Sequence, residues 1–164
     1  MHPSRVCLRP QITPLSTVAG RNTPGPIVVS YGDEQGGQMS NEQPEIGSMV
    51  WIDLTVPDAG GVRDFYAEVV GWKPSKVDMG GYSDYSMNTP GSGTTITGVC
   101  HARGVNEDMP PVWMPYFTVA DLDASIARCA EHGGEVVVAP RELGEGRFCV
   151  VKDPAGAIAA LYQV

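Results

Sequence analysis

Hydrophobic and polar positions alternate from Met49 to Val56. Val50, Ile52, Leu54 and Val56 point one way, and Met49, Trp51, Asp53 and Thr55 the other. Side chains of a strand switch faces at every residue, so this stretch predicts a strand with one apolar and one mixed face. After Asp58, an N-cap residue type, the spacing turns helical and continues to about Val70. Val62, Phe65, Tyr66 and Val69 fall on one stripe, and Gly71 stops the helix. Three short strands fit next, over 72–77, 82–87 and 95–100. Gly80-Gly81 separates the first two and the segment 88–93 the last two.

The pattern then recurs. Thr55-Val56-Pro57-Asp58 returns as Thr118-Val119-Ala120-Asp121, 63 residues later. Each copy follows an apolar strand-like run, and each runs 15 residues from its valine to a terminating glycine, Gly71 or Gly134. The second copy opens with a strand over 112–119, in which Trp113, Pro115, Phe117 and Val119 share a face opposite Met114, Tyr116 and Thr118. Pro115 predicts that this strand is not fully paired on both sides. A helix capped by Asp121 runs to about His132, with Leu122, Ile126, Cys129 and Ala130 as its buried stripe. Strands over 135–138, 147–151 and 157–162 follow, the last two joined by the turn Asp153-Pro154-Ala155-Gly156. The chain is thus predicted to be an α+β protein of two βαβββ units, 47–101 and 112–164, with any site between them. With a helix on one face of each unit, the opposite faces curve around a common hollow.

Composition changes this picture mainly at the N-terminus. Residues 1–44 hold six of the fourteen prolines and no sustained period, and predict a disordered tail before a single domain over 45–164. Met39 is a second candidate start for the native chain. The tail's Arg5, Arg9 and Arg21 cancel Asp33, Glu34 and Glu42, so the net charge of −8 belongs to the domain. An acidic surface repels phosphate backbones, which argues against a nucleic-acid partner. No apolar run is long enough for a membrane span and no signal peptide is evident, so a cytoplasmic location is expected. Cys7, Cys100, Cys129 and Cys149 form no CxxC pair, and read as reduced thiols used as small hydrophobes.

Asp64-Phe65-Tyr66 with Val70-Gly71-Trp72, His132-Gly133-Gly134, and the stretch from Gly146-Arg147-Phe148 to Asp153-Pro154-Ala155-Gly156 carry a family resemblance. In order and spacing they resemble the vicinal oxygen chelate superfamily of glyoxalase I, bleomycin-resistance proteins and extradiol dioxygenases. The stretch from Gly146 to Pro154 is similar to a bacterial subgroup of glyoxalase-like proteins, many with two modules in tandem. The resemblance covers about 47–164 and implies a curled mixed sheet, a small-molecule ligand and a homodimer. In metal-using members each of four strands supplies one ligand. The matching positions here are Trp51, near Gly98, Met114 and Ala160. An indole, a thioether and a methyl group are not ligands for a hard or borderline divalent ion, so neither a metal nor another cofactor is expected.

If the last two strands pair with Lys152 opposite Ala157, then Cys149 faces Ala160 and Arg147 faces Tyr162. Opposed residues share a sheet face. The predicted hollow therefore holds Trp51, Asp53, Thr55, Met114, Tyr116, Thr118, Arg147, Cys149 and Tyr162. Of these, Trp51, Asp53, Thr55, Met114, Tyr116, Arg147 and Tyr162 are the candidate ligand-binding residues. Asp53, the one catalytic candidate, is a general base, a cation anchor, or a carboxylate that is partly solvated or paired with Arg147. Arg147 clamps an anion or serves as a structural ion pair. Trp51 and Tyr116 stack on a planar ligand or pack the two halves together. Cys149 is a nucleophile or, lacking a nearby base, inert packing. His101 is a rim acid or base or a bland rim residue, His132 a helix C-terminal residue, and Tyr82 and Tyr85 candidates for the mouth. Three functions remain open: metal-free binding of a small molecule in an aromatic cup, a metal-independent isomerase or lyase with Asp53 as base, and a non-catalytic interaction module.

Overall fold

The computed structural model describes residues 44–164. All of the expected N-terminal tail except its last residue lies outside the described residues. The first unit contains β1 (Met49–Val56), α1 (Ala59–Val70), β2 (Lys73–Asp78), β3 (Ser83–Asn88) and β4 (Thr95–His101). The second contains β5 (Trp113–Thr118), α2 (Leu122–Glu131), β6 (Glu135–Leu143), β7 (Gly146–Lys152) and β8 (Ile158–Gln163). Both are βαβββ, and together they form one mixed, curled, open sheet in the order β2-β3-β4-β1-β5-β8-β7-β6.

Each unit keeps its four strands together, and the antiparallel β1–β5 pair is the seam. Its register sets Trp51 opposite Tyr116 and Asp53 opposite Met114. Within the units, β1 pairs parallel to β4 and β5 parallel to β8, with Asp53 beside Gly98 and Tyr116 beside Ala160. The 63-residue offset therefore survives as a two-fold relation, with Trp51 equivalent to Met114 and Asp53 to Tyr116. Pro115 sits at the centre of the sheet, opposite Ile52. The β5–β8 ladder begins only at Tyr116, so the missing proline N–H falls before that ladder, as partial pairing requires.

Both helices begin at an aspartate that accepts a hydrogen bond from the third residue on, Asp58 from Gly61 N at 2.9 Å and Asp121 from Ala124 N at 2.9 Å. Gly61 is tied to that cap, since a Cβ there would lie 2.4 Å from Asp58 Oδ2. Ala59, Val62 and Tyr66 turn α1 onto Met87 and Val99. Phe65 and Val69, expected on the same stripe, point outward at 56% and 66% exposure. The α1 contact reaches across the seam, where Trp113 Nε1 donates to Tyr66 Oη at 2.8 Å. In the second unit, Leu122, Ile126 and Cys129 pack on Cys149, Val151 and Leu161. The opposite face of that unit is filled by Met114, Tyr116, Val138, Leu143, Phe148 and Val150, with Met109 added from the loop before β5.

The last hairpin corrects the predicted register. Asp153 pairs with Ala157, and its Oδ1 accepts from Ala155 N at 2.8 Å and Ala157 N at 2.9 Å. The loop is thus three residues, ending at Gly156 with φ 91°, where four had been expected. Lys152 then faces Ile158, Val150 faces Ala160 and Phe148 faces Tyr162. A slip of one residue turns a whole strand over.

Candidate functional site

Four side chains meet on the concave face where the seam crosses it. Trp51 and Asp53 come from β1, Met114 and Tyr116 from β5. Alternation places them there, and the two-fold relation makes them two copies of one pair. Asp53, Met114 and Tyr116 are buried, and Trp51 is half-buried. Tyr116 Oη donates to Asp53 Oδ2 at 3.4 Å, while Asp53 Oδ1 has no partner. Burial drives the Asp53 carboxyl up to about 7; the Tyr116 hydrogen bond opposes this, and the Asp84 charge adds to it. Burial likewise holds the Tyr116 phenol well above its ordinary range, with the Asp53 charge contributing.

Thr55 lies two residues further along β1, buried beside Cys100. Thr118 is buried at the other end of the seam with its hydroxyl unpartnered. Tyr162 remains on the concave side, half-buried against the Phe148 cluster. The structure thus brings Trp51, Asp53, Thr55, Met114, Tyr116, Thr118 and Tyr162 to one face.

Arg147 and Cys149 are corrections. The three-residue hairpin loop turns both to the α2 side, and Phe148 and Val150 take the concave positions assigned to them. Arg147 forms an exposed ion pair with Asp123 of α2, at 3.2 and 3.4 Å, so Asp53 has no cationic partner there. We expect Arg147→Ala to leave the affinity for a concave-face ligand unchanged in an equilibrium titration. Cys149 is a free thiol packed under α2, pushed up to about 11 by burial, which suits the inert alternative. Cys129 is free as well, and Cys7 lies outside the described residues. His132 ends α2 as expected.

Two residues of the first unit matter more than the sequence suggests. Asp84 of β3 is fully buried, and its Oδ1 accepts from His101 N at 2.8 Å and pairs with His101 Nδ1 at 3.0 Å. Its Oδ2 has no partner. Tyr82 and Tyr85 flank the His101 ring. Only the β3–β4 register reveals this pair. The sequence signal was a lone carboxylate inside an alternating strand.

The four positions implied for metal ligands, Trp51, Gly98, Met114 and Ala160, belong to strands β1, β4, β5 and β8, which adjoin at the centre of the sheet. Their indole, glycine, thioether and methyl groups do not fit a divalent ion. Among the described residues no group of three or more His, Cys, Asp or Glu is placed to hold one. No helix among them is long and apolar enough to cross a membrane.

The anthracycline biosynthesis protein DnrV of Streptomyces peucetius is 34% identical over 133 residues, covering 71% of this chain and 47% of that protein. The candidate glyoxylase CFP32 of Mycobacterium tuberculosis (strain CDC 1551 / Oshkosh) is 32% identical over 119 residues, covering 71% of this chain and 46% of that protein. The chain thus spans about half the length of the curated relatives it matches. Among solved structures, a methylmalonyl-CoA epimerase in complex with methylmalonyl-CoA and NH4+ aligns with 73% of this chain and 95% of its own, at 18% identity and a TM-score of 0.44. A family profile matches residues 48–160. By that match and by its paired βαβββ units, the chain belongs to the Glyoxalase/Bleomycin resistance protein/Dioxygenase superfamily.

Proposed function

We propose that the chain is a small-molecule-binding module that takes its ligand on the concave face at the Asp53–Tyr116 centre, without a metal ion. One observation carries this reading. Asp53 is 4% exposed, yet one of its carboxylate oxygens lacks a partner. A buried polar atom without a partner costs about 1–3 kcal/mol, and a ligand donor reaching Oδ1 recovers it. Trp51, half-buried, supplies aromatic surface beside it. A planar aromatic ligand suits that surface, and the Streptomyces peucetius relative is named for anthracycline biosynthesis. An anthracycline is therefore the first probe. It is expected to bind at micromolar concentration, followed by quenching of its own fluorescence, and Asp53→Asn is expected to weaken it about tenfold or more. No saturable binding, or no effect of the substitution, overturns this reading. One tightly held metal per chain in elemental analysis overturns its metal-free part. A homodimer, completing the length of the relatives, and a cytoplasmic location in a bacterial host belong to the same proposal.

A second reading is favoured by the Asp53 carboxyl at about 7, which suits a general base working near neutrality. In that reading the module is an isomerase or lyase, with Tyr116 steadying the charge on the substrate. Turnover that survives Asp53→Asn removes it.

A further inference from the structure

We propose that Asp84 and His101 form a proton-transfer dyad at the rim of the first unit, with His101 Nε2 as the atom that takes a proton from a weakly acidic small molecule and returns it. The site is separate from the Asp53 centre and does not depend on the ligand proposed for it.

The geometry begins with the end of β4. Asp84 Oδ1 receives the backbone N–H of His101 at 2.8 Å and faces Nδ1 of the same residue at 3.0 Å. An oxygen already accepting one N–H accepts a second from Nδ1, so Nε2 carries the lone pair. Nε2 makes no hydrogen bond to any described residue and is not among the buried unpaired atoms. The imidazole is 21% exposed, so the free nitrogen meets solvent while the bonded one is held by a fully buried carboxylate. The ring has little freedom to turn. Tyr82 stands edge-on to it at 5.6 Å between centroids and Tyr85 lies tilted at 6.1 Å.

The charges around the pair fit a proton acceptor. Asp84 Oδ2 is buried without a partner, so this carboxylate keeps more acceptor capacity than tethering one ring requires. That surplus stabilises an imidazolium formed on His101. Arg103 stacks over Tyr82 at 4.5 Å and Arg63 over Tyr85 at 4.4 Å, so a guanidinium lies against each tyrosine that flanks the imidazole. Arg63 is paired with Asp64 at 2.7 and 2.8 Å, and Arg103 forms no ion pair with a described residue. On a chain of net charge −8, Arg103 is thus a cation near the pair, suited to the anion that a ligand becomes on losing its proton. The step balances without another reactant. The ligand's X–H bond breaks, its electron pair stays on X, the proton moves to Nε2, and the reverse transfer restores both. The ligand class is an enolisable carbonyl compound or a phenol, small enough to reach the rim. The ionisable and charged groups facing the pair are Tyr82, Tyr85, Arg103, Arg63 with its partner Asp64 and, more distantly, Asp53.

The test uses the full chain and 5-nitrobenzisoxazole, whose N–O bond breaks to give a coloured cyanonitrophenolate once a base removes the C3–H proton of its isoxazole ring. The chain is expected to catalyse this opening, and His101→Asn to lower the rate at least tenfold. Asparagine keeps an N–H donor for Asp84 but has no second ring nitrogen, so the fold is retained. Asp84→Asn is expected to move the midpoint of the rate–pH profile to lower pH, which a merely structural Asp84 would leave in place. Arg147→Ala, in the second unit and paired with α2, is the control. Long-range 1H–15N spectra are expected to show His101 with its proton on Nδ1. A rate no better than buffer, a rate unchanged in His101→Asn, or a proton found on Nε2 overturns the proposal. A rate that survives His101→Asn but is lost in Asp53→Asn does so as well, and assigns the base to the second reading of the seam.

Discussion

Replacing Phe148 by alanine is expected to cost about 3–5 kcal/mol of stability, the range for emptying a fully buried aromatic position. Phe148 is 1% exposed and is the largest of the fully buried side chains among the described residues. It lies on β7, flanked by β6 and β8, with Arg141 and Tyr162 opposite in register. Neither neighbouring strand can close the gap without giving up ladder hydrogen bonds, so the cavity persists. The loss also reaches the seam, because the Tyr116 ring rests on Phe148 with 5.9 Å between centroids. Freed on that side, Tyr116 holds Asp53 less firmly. Urea denaturation measures the first effect and ligand titration the second. A fall in stability below about 1.5 kcal/mol would show that this part of the core relaxes.

Asp53 is expected to make stability depend on pH in the direction opposite to a salt-bridged carboxylate. Its folded-state carboxyl holds a proton up to about 7, against 3.8 for the ordinary group. Between those values the folded chain binds more protons than the unfolded one, so stability falls as pH rises through the window. Below it both states are protonated and above it both are ionised, so this group adds no further slope there. The shift corresponds to about 4 kcal/mol across the window. Asp53→Asn removes it. The stability of the natural chain minus that of the variant is therefore expected to fall by about 4 kcal/mol between roughly pH 4 and pH 8, read from paired urea curves. Asp84, also raised by burial, acts in the same direction. A flat difference would mean that water or a ligand group reaches Oδ1.

The repeat, both helices and the concave placement of Trp51, Asp53, Thr55, Met114 and Tyr116 were legible because they rest on local periodicity and a constant offset. Arg147 and Cys149 were misplaced because a strand's face depends on the loop before its partner. Three loop residues or four is decided by hydrogen bonds from Asp153, to which hydrophobic pattern is blind. Phe65 and Val69 fit a helical stripe as well as Ala59 does, and only the position of Met87 and Val99 beneath α1 selects the narrower face. The Asp84–His101 pair depends on two strands meeting in register, 17 residues apart in sequence.

The hydrogen bond between Asp53 and Tyr116 joins equivalent positions of the duplicated units. Two separate, identical half-length chains meeting about the same axis would have to present the same group twice. Two carboxylates would repel, and two phenols would offer no anion. Joining the halves into one polypeptide lets each position mutate alone, and so permits an acceptor to face a donor. Chemical polarity at the centre of this molecule is thus open to a single polypeptide and out of reach for any symmetric pairing of identical half-length chains.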